Sequence, residues 1–448
     1  MGSLYRYIKN KSKRINKAVC LCLVAALFVG GGFMGINSFK AEQRSLDATD
    51  GEGRTVSLDI LTSGNAAIES ESGVKQNQGG EGVETAPAAG AMTIDAKSAV
   101  LMDAASGKVL FAQNENEQLP PASVTKVMTM LLVLEAVDSG KISLDDTVTI
   151  SERAASMGGS QMYMEVGEQH TLEEIMKGVA MVSANDGCVA AAEYLCGSVE
   201  IFVENMNKRA AELGMQNTNF VNTNGLPAAN HYSSAYDIAL MSRELMKHID
   251  GHTWFTTWQD KIMVGLPGKQ TEFGLTNTNK LIKQYPGAIG LKTGYTSDAG
   301  YCLSGAATRD NTTLIAVVMG CKTTDIRLKE ISKLLDYGFA NYDTAIVAEK
   351  DQVMGEILLE KGSPEKINAV AAEKQAILVG KGEAGSVTSS AVIWDTVELP
   401  LAAGDQVGEL SIFKGEEEIA KVPLVAEKSA DKVGIIEIYR RMLLKLVK

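Results

Sequence analysis

The stretch Leu119-Pro120-Pro121-Ala122-Ser123-Val124-Thr125-Lys126-Val127-Met128-Thr129 sets two prolines directly before a long apolar run. Proline is tolerated where a helix begins, because the first N–H groups have no partner inside the helix. The spacing therefore predicts a helix over residues 123–137, with Ser123 and Lys126 on one face. A serine hydroxyl is a weak nucleophile until a base takes its proton, and a lysine amine serves as that base when burial or a cationic neighbour leaves it neutral. The start of a helix also offers free N–H groups and a partial positive charge where an oxyanion would form. Serine followed three residues later by lysine occurs five times, from Ser72, Ser123, Ser363, Ser411 and Ser429. Of these only Ser123 opens a long apolar helix. Taken alone it would read as a helix cap beside a solvated lysine.

Outward from this segment, residues 98–113 hold two β-like runs around Ala105-Ser106-Gly107, the pattern of a hairpin. Helical periodicity covers 172–195, 199–213 and 236–247, and strands return at 289–293, 301–307 and 313–319. Helices inserted between strands of one antiparallel sheet give an α/β layer architecture. Two further polar groups interrupt it: Ser183-Ala184-Asn185 between helical stretches, and Lys292-Thr293-Gly294 at a strand end. Ser183 can relay protons, and Asn185 can hold a substrate amide. Lys292 and Thr293 offer a cation and a hydroxyl to a carboxylate, and Gly294 is expected to let substrate backbone approach the strand edge. A decoy, Ser63-Gly64-Asn65, sits in a stretch with no aromatic residue and no fold to hold it. Three elements so combined describe serine acyl transfer without a histidine.

The chain has 448 residues, 45% of them apolar, enough for two or three domains. Its formal net charge of -12 makes nucleic acid an unexpected partner. Six cysteines without a paired CxxC motif suggest buried thiols, not a disulfide framework or structural zinc. His248 and His252 are four apart but separated by Gly251 and lack a third ligand, so no metal and no organic cofactor are expected. Residues 1–37 carry six basic residues followed by a nineteen-residue uncharged run, an export signal that reads either as a cleaved signal peptide or as a membrane anchor. Residues 38–91 read as a disordered spacer, 92–345 as the catalytic domain and 346–427 as a small all-β domain. Residues 428–448, with net charge +4 and an apolar stripe, read as an amphipathic helix for an anionic membrane surface.

The three polar elements resemble the signature shared by penicillin-binding proteins and class A β-lactamases. The whole chain from about 92 to 427 resembles the D-alanyl-D-alanine carboxypeptidases among the low-molecular-mass penicillin-binding proteins. Further likeness lies in Gly159 to Met162, Asn222-Thr223-Asn224-Gly225-Leu226, His231 to Asp237 and Ala299 to Cys302. The resemblance implies a β-lactamase/transpeptidase-like domain, an antiparallel sheet with helices on both faces plus a helical subdomain, followed by the small β domain. It implies that Ser123 attacks the carbonyl between two terminal D-alanines of a peptidoglycan stem peptide. Lys126 would then accept the serine proton, Ser183 would carry protons to the leaving amine, and the N–H groups of Ser123 and Tyr295 would form the oxyanion hole. Lys292, Thr293 and Arg327 would hold the terminal carboxylate, β-lactams would be covalent inhibitors, and the site of action would be the outer face of the cytoplasmic membrane.

A class A β-lactamase would need a glutamate to activate the deacylating water, and neither Glu165 nor Glu168 stands in a matching loop. No Gly-x-Ser-x-Gly elbow points to an α/β-hydrolase. Endopeptidase or transpeptidase activity on the same peptides differs only in the bond cleaved or the acyl acceptor. A non-catalytic wall-binding scaffold is the reading from another class, and the retained proton-handling groups speak against it.

Overall fold

A computed structural model describes residues 92–446 of the chain. The export segment, the spacer and Cys20 and Cys22 lie outside the described residues.

The described fold begins with the hairpin β1 (Ser98–Asp103) and β2 (Val109–Gln113). A tight turn at Ala122–Thr125 then leads into helix α1 (Lys126–Asp138), so the helix expected over 123–137 begins three residues late. The turn is tighter than an α-helix and starts from Ala122 at φ 48, which tips the Ser123 backbone out of the helical ladder. Next come α2 (Leu172–Met181), α3 (Asn185–Cys196), α4 (Val199–Glu212) and α5 (Ala235–Leu245). The helical pattern over 172–195 is thus two helices, broken where Ser183 takes φ 64. A hairpin, Gln259–Val264 with Thr271–Thr276, follows. A meander of β3 (Ala288–Thr296), β4 (Gly300–Arg309) and β5 (Thr312–Cys321) then leads to α6 (Thr324–Asn341).

The five strands form one antiparallel sheet in the order β2-β1-β5-β4-β3, with the N-terminal strand β1 docked on β5. Alternate side chains of each strand serve opposite cores. Val100, Met102, Ile315, Val317 and Met319 pack with α1 and its neighbours, while Leu101, Leu314, Ala316 and Val318 pack with Ile331, Leu334, Leu335 and Phe339 of α6. Both faces are covered, which is why β1 and β5 read as nearly unbroken apolar runs. α1 is buried almost all round, from Val127 to Leu134, as a central helix must be. The strand carrying Lys292 is left at the sheet edge, and its free side opens on the turn holding Ser123.

Beyond α6 the fold is all β. Strand β6 (Tyr342–Ala348) begins before the boundary expected at 345 because it pairs with β9 (Gln375–Gly380) and not with the catalytic sheet. A second five-stranded sheet joins β7 (Val353–Leu358), β8 (Lys366–Ala371), β12 (Glu417–Ala426), β11 (Gln406–Lys414) and β10 (Val387–Ile393) in that spatial order. Residues 431–432, expected to belong to the terminal helix, instead pair with Gly362–Ser363. Helix α7 runs Ile435–Leu446. Among the described residues no helix is long and apolar enough to cross a membrane.

Candidate active site

Ser123, Lys126 and Asn185 are joined by hydrogen bonds, the strand carrying Lys292 and Thr293 packs against the Ser123 turn, and Ser183 lies two residues before Asn185. Lys126 is fully buried, and its Nζ donates to Ser123 Oγ at 3.0 Å, Asn185 Oδ1 at 2.7 Å and the Asn224 carbonyl at 2.6 Å. An ammonium has three donors, and here all three are used. Carbonyl oxygens only accept, so when the amine loses a proton its remaining hydrogens stay on Asn185 and Asn224. The lone pair is then left facing the one neighbour able to donate, the Ser123 hydroxyl. Burial pushes the Lys126 amine down from the usual lysine value to about 8, against the pull of Cys188 and Asp186. About a tenth of it is then neutral at pH 7.

The second amine is Lys292 on β3, fully buried and donating to the Thr293 carbonyl at 3.1 Å. Burial holds it well below the usual value, and repulsion from Lys126 and Arg327 adds to the effect. The Thr293 hydroxyl shares a hydrogen bond of 2.8 Å with Thr278. Arg327 is buried, and its Nη1 donates to the carbonyls of Cys302 and Gly294 at 3.3 and 3.4 Å, while its Nε is buried without a partner among the described residues. This fixes a permanent cation behind the edge strand. Ser183, strained at φ 64, has a buried hydroxyl with no partner among the described residues, a group left available for transferring a proton.

Gly294 and Asn185 each gain a structural role that their sequence context does not suggest. At Gly294 a Cβ would stand 2.9 Å from the Pro121 carbonyl oxygen and 3.0 Å from the Ser123 nitrogen, so the missing side chain lets β3 close on the nucleophile turn. The same approach places the Ser123 N–H beside the strand that continues into Tyr295, the pair expected to bind an oxyanion. Asn185 is already committed inside the protein, with Oδ1 on Lys126 and Nδ2 donating to the Gly158 carbonyl at 2.7 Å. It aims the amine and keeps one N–H for a ligand.

Other residues, to which sequence alone assigns no role, hold the geometry. Gly225, at φ 85, packs so closely that a Cβ would overlap the Ala122 carbonyl. Val221 N–H donates to His231 Nδ1 at 3.1 Å, which leaves the ring hydrogen on Nε2 to donate to Thr125 Oγ1 at 2.8 Å. The Thr125 hydroxyl in turn donates to the Ala122 carbonyl at 2.9 Å, bracing the strained residue beside the nucleophile. Burial pushes His231 down to about 4, so the relay is neutral and fixed near pH 7. Asp186, also buried, accepts from the N–H groups of Met162 and Gly187 at 3.0 and 2.9 Å and ties the loop of residues 158–164 to α3. The motifs Asn222 to Leu226 and His231 to Asp237 mark these stretches in the sequence; the contacts they make depend on the long-range fold.

Of the glutamates weighed as water activators, Glu168 is buried and committed to Glu165 N–H at 2.6 Å and His170 Nε2 at 2.9 Å, and Glu165 is exposed. Cys188, Cys302 and Cys321 are buried free thiols, all pushed above the usual thiol value by burial, with Cys188 at about 11 beside both amines. Such thiols are not nucleophiles at neutral pH.

The family model for D-alanyl-D-alanine carboxypeptidase of the S11 peptidases matches residues 83–323, and that for the penicillin-binding protein 5 C-terminal domain matches residues 342–432. D-alanyl-D-alanine carboxypeptidase DacF of Bacillus subtilis (strain 168) is 44% identical over 78% of this chain and 89% of its own. DacC of Escherichia coli (strain K12) is 33% identical over 77% of this chain and 86% of its own. Among solved structures, penicillin-binding protein 5 of Haemophilus influenzae superposes with a TM-score of 0.61 at 33% identity, over 76% of this chain and 99% of that one.

Proposed function

The chain belongs to the D-alanyl-D-alanine carboxypeptidase family of serine peptidases, and from that premise we propose that it trims the terminal D-alanine from peptidoglycan stem pentapeptides through an acyl-enzyme on Ser123. The observation that carries this reading is the Lys126 amine, 3.0 Å from the Ser123 hydroxyl and aimed by two obligate acceptors.

The substrate lies along the free edge of β3, its terminal carboxylate toward Lys292, Thr293 and Arg327. That carboxylate stabilises the charged form of Lys292, and a charged Lys292 disfavours a second charge on Lys126. Ser123 Oγ attacks the penultimate carbonyl while its proton passes to Lys126 Nζ. The oxyanion is met by the N–H groups of Ser123 and Tyr295, each such donor being worth about 10²- to 10³-fold in rate. When the C–N bond breaks, the proton reaches the leaving amine through the Ser183 hydroxyl, and D-alanine departs. Water then attacks the ester, its proton passing by way of Ser183 to Lys126 Nζ, which returns a proton to Ser123 Oγ as the C–Oγ bond breaks and the shortened peptide leaves with a new terminal carboxyl group. A β-lactam takes the first step and stays as the ester.

Mass spectrometry of products from a synthetic pentapeptide ending in D-Ala-D-Ala tests this directly. The expected product is the tetrapeptide plus free D-alanine. Dimers formed with an added amine acceptor would identify strand joining instead, and unchanged peptide would identify a scaffold.

The family's substrate places the work in the cell-wall space, which fits the export signal at the start of the chain. Attachment is assigned to α7. Ile435, Ile436, Tyr439, Met442 and Leu443 are 55–87% exposed, while Arg441 anchors the helix by binding Glu365 at 2.9 Å and the Gly362 carbonyl at 2.8 Å. Ile438 is half-buried and faces Leu358 and Leu359 of the β module, while Ile435, Ile436, Tyr439 and Leu443 are left exposed for a membrane surface. A fragment of residues 92–448 should sediment with anionic phospholipid vesicles. Truncation after Gly434, which spares the strand at 431–432, should lower that binding at least about tenfold, given about 1 kcal/mol for each basic residue near the surface and the apolar side chains removed with them. Equal sedimentation of the two fragments would remove the helix from the anchor.

A further inference from the structure

The hydroxyl of Thr293, toward which the substrate's carboxylate turns, is already in use. Thr293 is buried, and the one partner of its Oγ1 among the described residues is the Thr278 hydroxyl, at 2.8 Å. A hydroxyl carries a single hydrogen, so within this pair only one oxygen donates to the other. If Thr293 gives its hydrogen to Thr278, it faces the ligand with lone pairs, and a carboxylate, which only accepts, is repelled. If Thr278 gives its hydrogen to Thr293, the Thr293 hydrogen is free for the ligand. The direction of one bond thus decides whether Thr293 can donate to a carboxylate.

Thr278 is held as such a group has to be. It lies outside the three polar elements, fifteen residues before Thr293, on the segment that follows the 259–276 hairpin. Its neighbours Asn277 and Asn279 are buried. Asn277 Nδ2 donates to the Thr257 carbonyl at 3.1 Å and its Oδ1 accepts from the Asn279 N–H at 2.9 Å, while Asn279 Oδ1 accepts from the Leu281 N–H at 3.1 Å. The Thr278 N–H donates at 2.9 Å to the carbonyl of Met181, the last residue of α2 and two before Ser183. The backbone is pinned on both sides, while Thr278 itself is exposed. Its hydroxyl has no other partner among the described residues, so its hydrogen is available to Thr293.

We propose that Thr278 is a positioning residue for carboxylate recognition: its hydroxyl donates to Thr293 Oγ1 and so turns the Thr293 hydrogen toward the terminal carboxylate of the substrate. Hydroxyls in series polarise one another, which strengthens the last donor of the pair. The inference rests on the carboxypeptidase reading and adds to it a residue that acts only through Thr293.

The test measures kcat/KM for D-alanine release by the full chain from Nα,Nε-diacetyl-lysyl-D-Ala-D-Ala. Thr278→Val keeps the shape of an exposed side chain and removes its hydroxyl; it should lower kcat/KM about tenfold, the low end of what a hydrogen bond to a charged group contributes. Thr278→Ser restores the donor and should stay within about twofold of the wild type. In a Thr293→Val background, Thr278→Val should cost less than about twofold, because the hydroxyl it orients is gone. A loss in Thr278→Val that serine fails to restore, no loss in Thr278→Val at all, or an undiminished further loss in the Thr293→Val background overturns the positioning role and leaves the carboxypeptidase standing. No release by the wild type would remove the carboxypeptidase reading and the role of Thr278 with it.

Discussion

Replacing Ser123 by alanine is expected to abolish penicillin labelling and D-alanine release together, with the fold retained. Both reactions begin with the same bond, from Oγ to a carbonyl carbon, and no other group in the cleft can form it readily. Ser183 is the second hydroxyl, but no amine is bonded to it, whereas Ser123 receives the Lys126 donor at 3.0 Å. The buried thiol Cys188 is pushed up to about 11 and is protonated at neutral pH. Stability should change little, because the substitution removes one hydroxyl from a part-buried position and leaves Asn185 and Asn224 still bonded to Lys126. Intact mass after incubation with benzylpenicillin, alongside thermal unfolding, checks both halves. A penicilloyl adduct in Ser123→Ala would move the nucleophile elsewhere, with Ser183 the first residue to examine by peptide mapping.

The parts of this site that are legible in sequence are those that local pattern can carry. Ser123 and Lys126 sit one helical step apart, and Ser183-Ala184-Asn185 breaks a helical stretch. Lys292-Thr293-Gly294 stands in a β-rich run. Each has a short-range signal, and the resemblance to a known family supplies their order and roles. What pattern cannot carry is everything that depends on distant backbone. The Asn224 carbonyl that aims Lys126 is a main-chain atom 98 residues away, and the His231 ring that braces Thr125 lies 106 residues from it. Gly294 has a second role hidden for the same reason: its sequence suggests room for a ligand, and the structure shows that the Ser123 turn also needs the missing side chain. The hairpin at 259–276 carries no clear signal because only one face of it is buried, so its apolar residues are sparse. Helix α6 shows only at its start, around Arg327; its buried stripe of Ile331, Leu334, Leu335 and Phe339 becomes meaningful once the sheet face it covers exists.

Lys126→Met is expected to slow acylation by penicillin at least about 10³-fold, within the range assigned to a positioned general base, while moving the unfolding temperature by only a few degrees. The energetic terms oppose one another. Lowering the amine from 10.5 to about 8 means that the folded state holds its charged form about 3 kcal/mol less favourably than the unfolded chain at neutral pH. Methionine removes that cost. It also leaves Asn185 Oδ1 and the Asn224 carbonyl without their donor, at roughly 1–3 kcal/mol each, so the two effects nearly cancel and a large rate loss cannot be ascribed to unfolding. The wild-type pH profile carries the same argument. Because the folded value lies below the unfolded one, the native state binds fewer protons between about pH 8 and 10.5, and stability rises across that window. Acylation should climb close to tenfold per pH unit below about pH 8 and level off above it, the apparent midpoint belonging to the coupled pair Lys126 and Lys292. In Lys126→Met the residual rate should lose that midpoint. A variant that keeps both the rate and the rise toward pH 8 would assign the base to another group, with Lys292 the only other amine among the described residues placed to supply it.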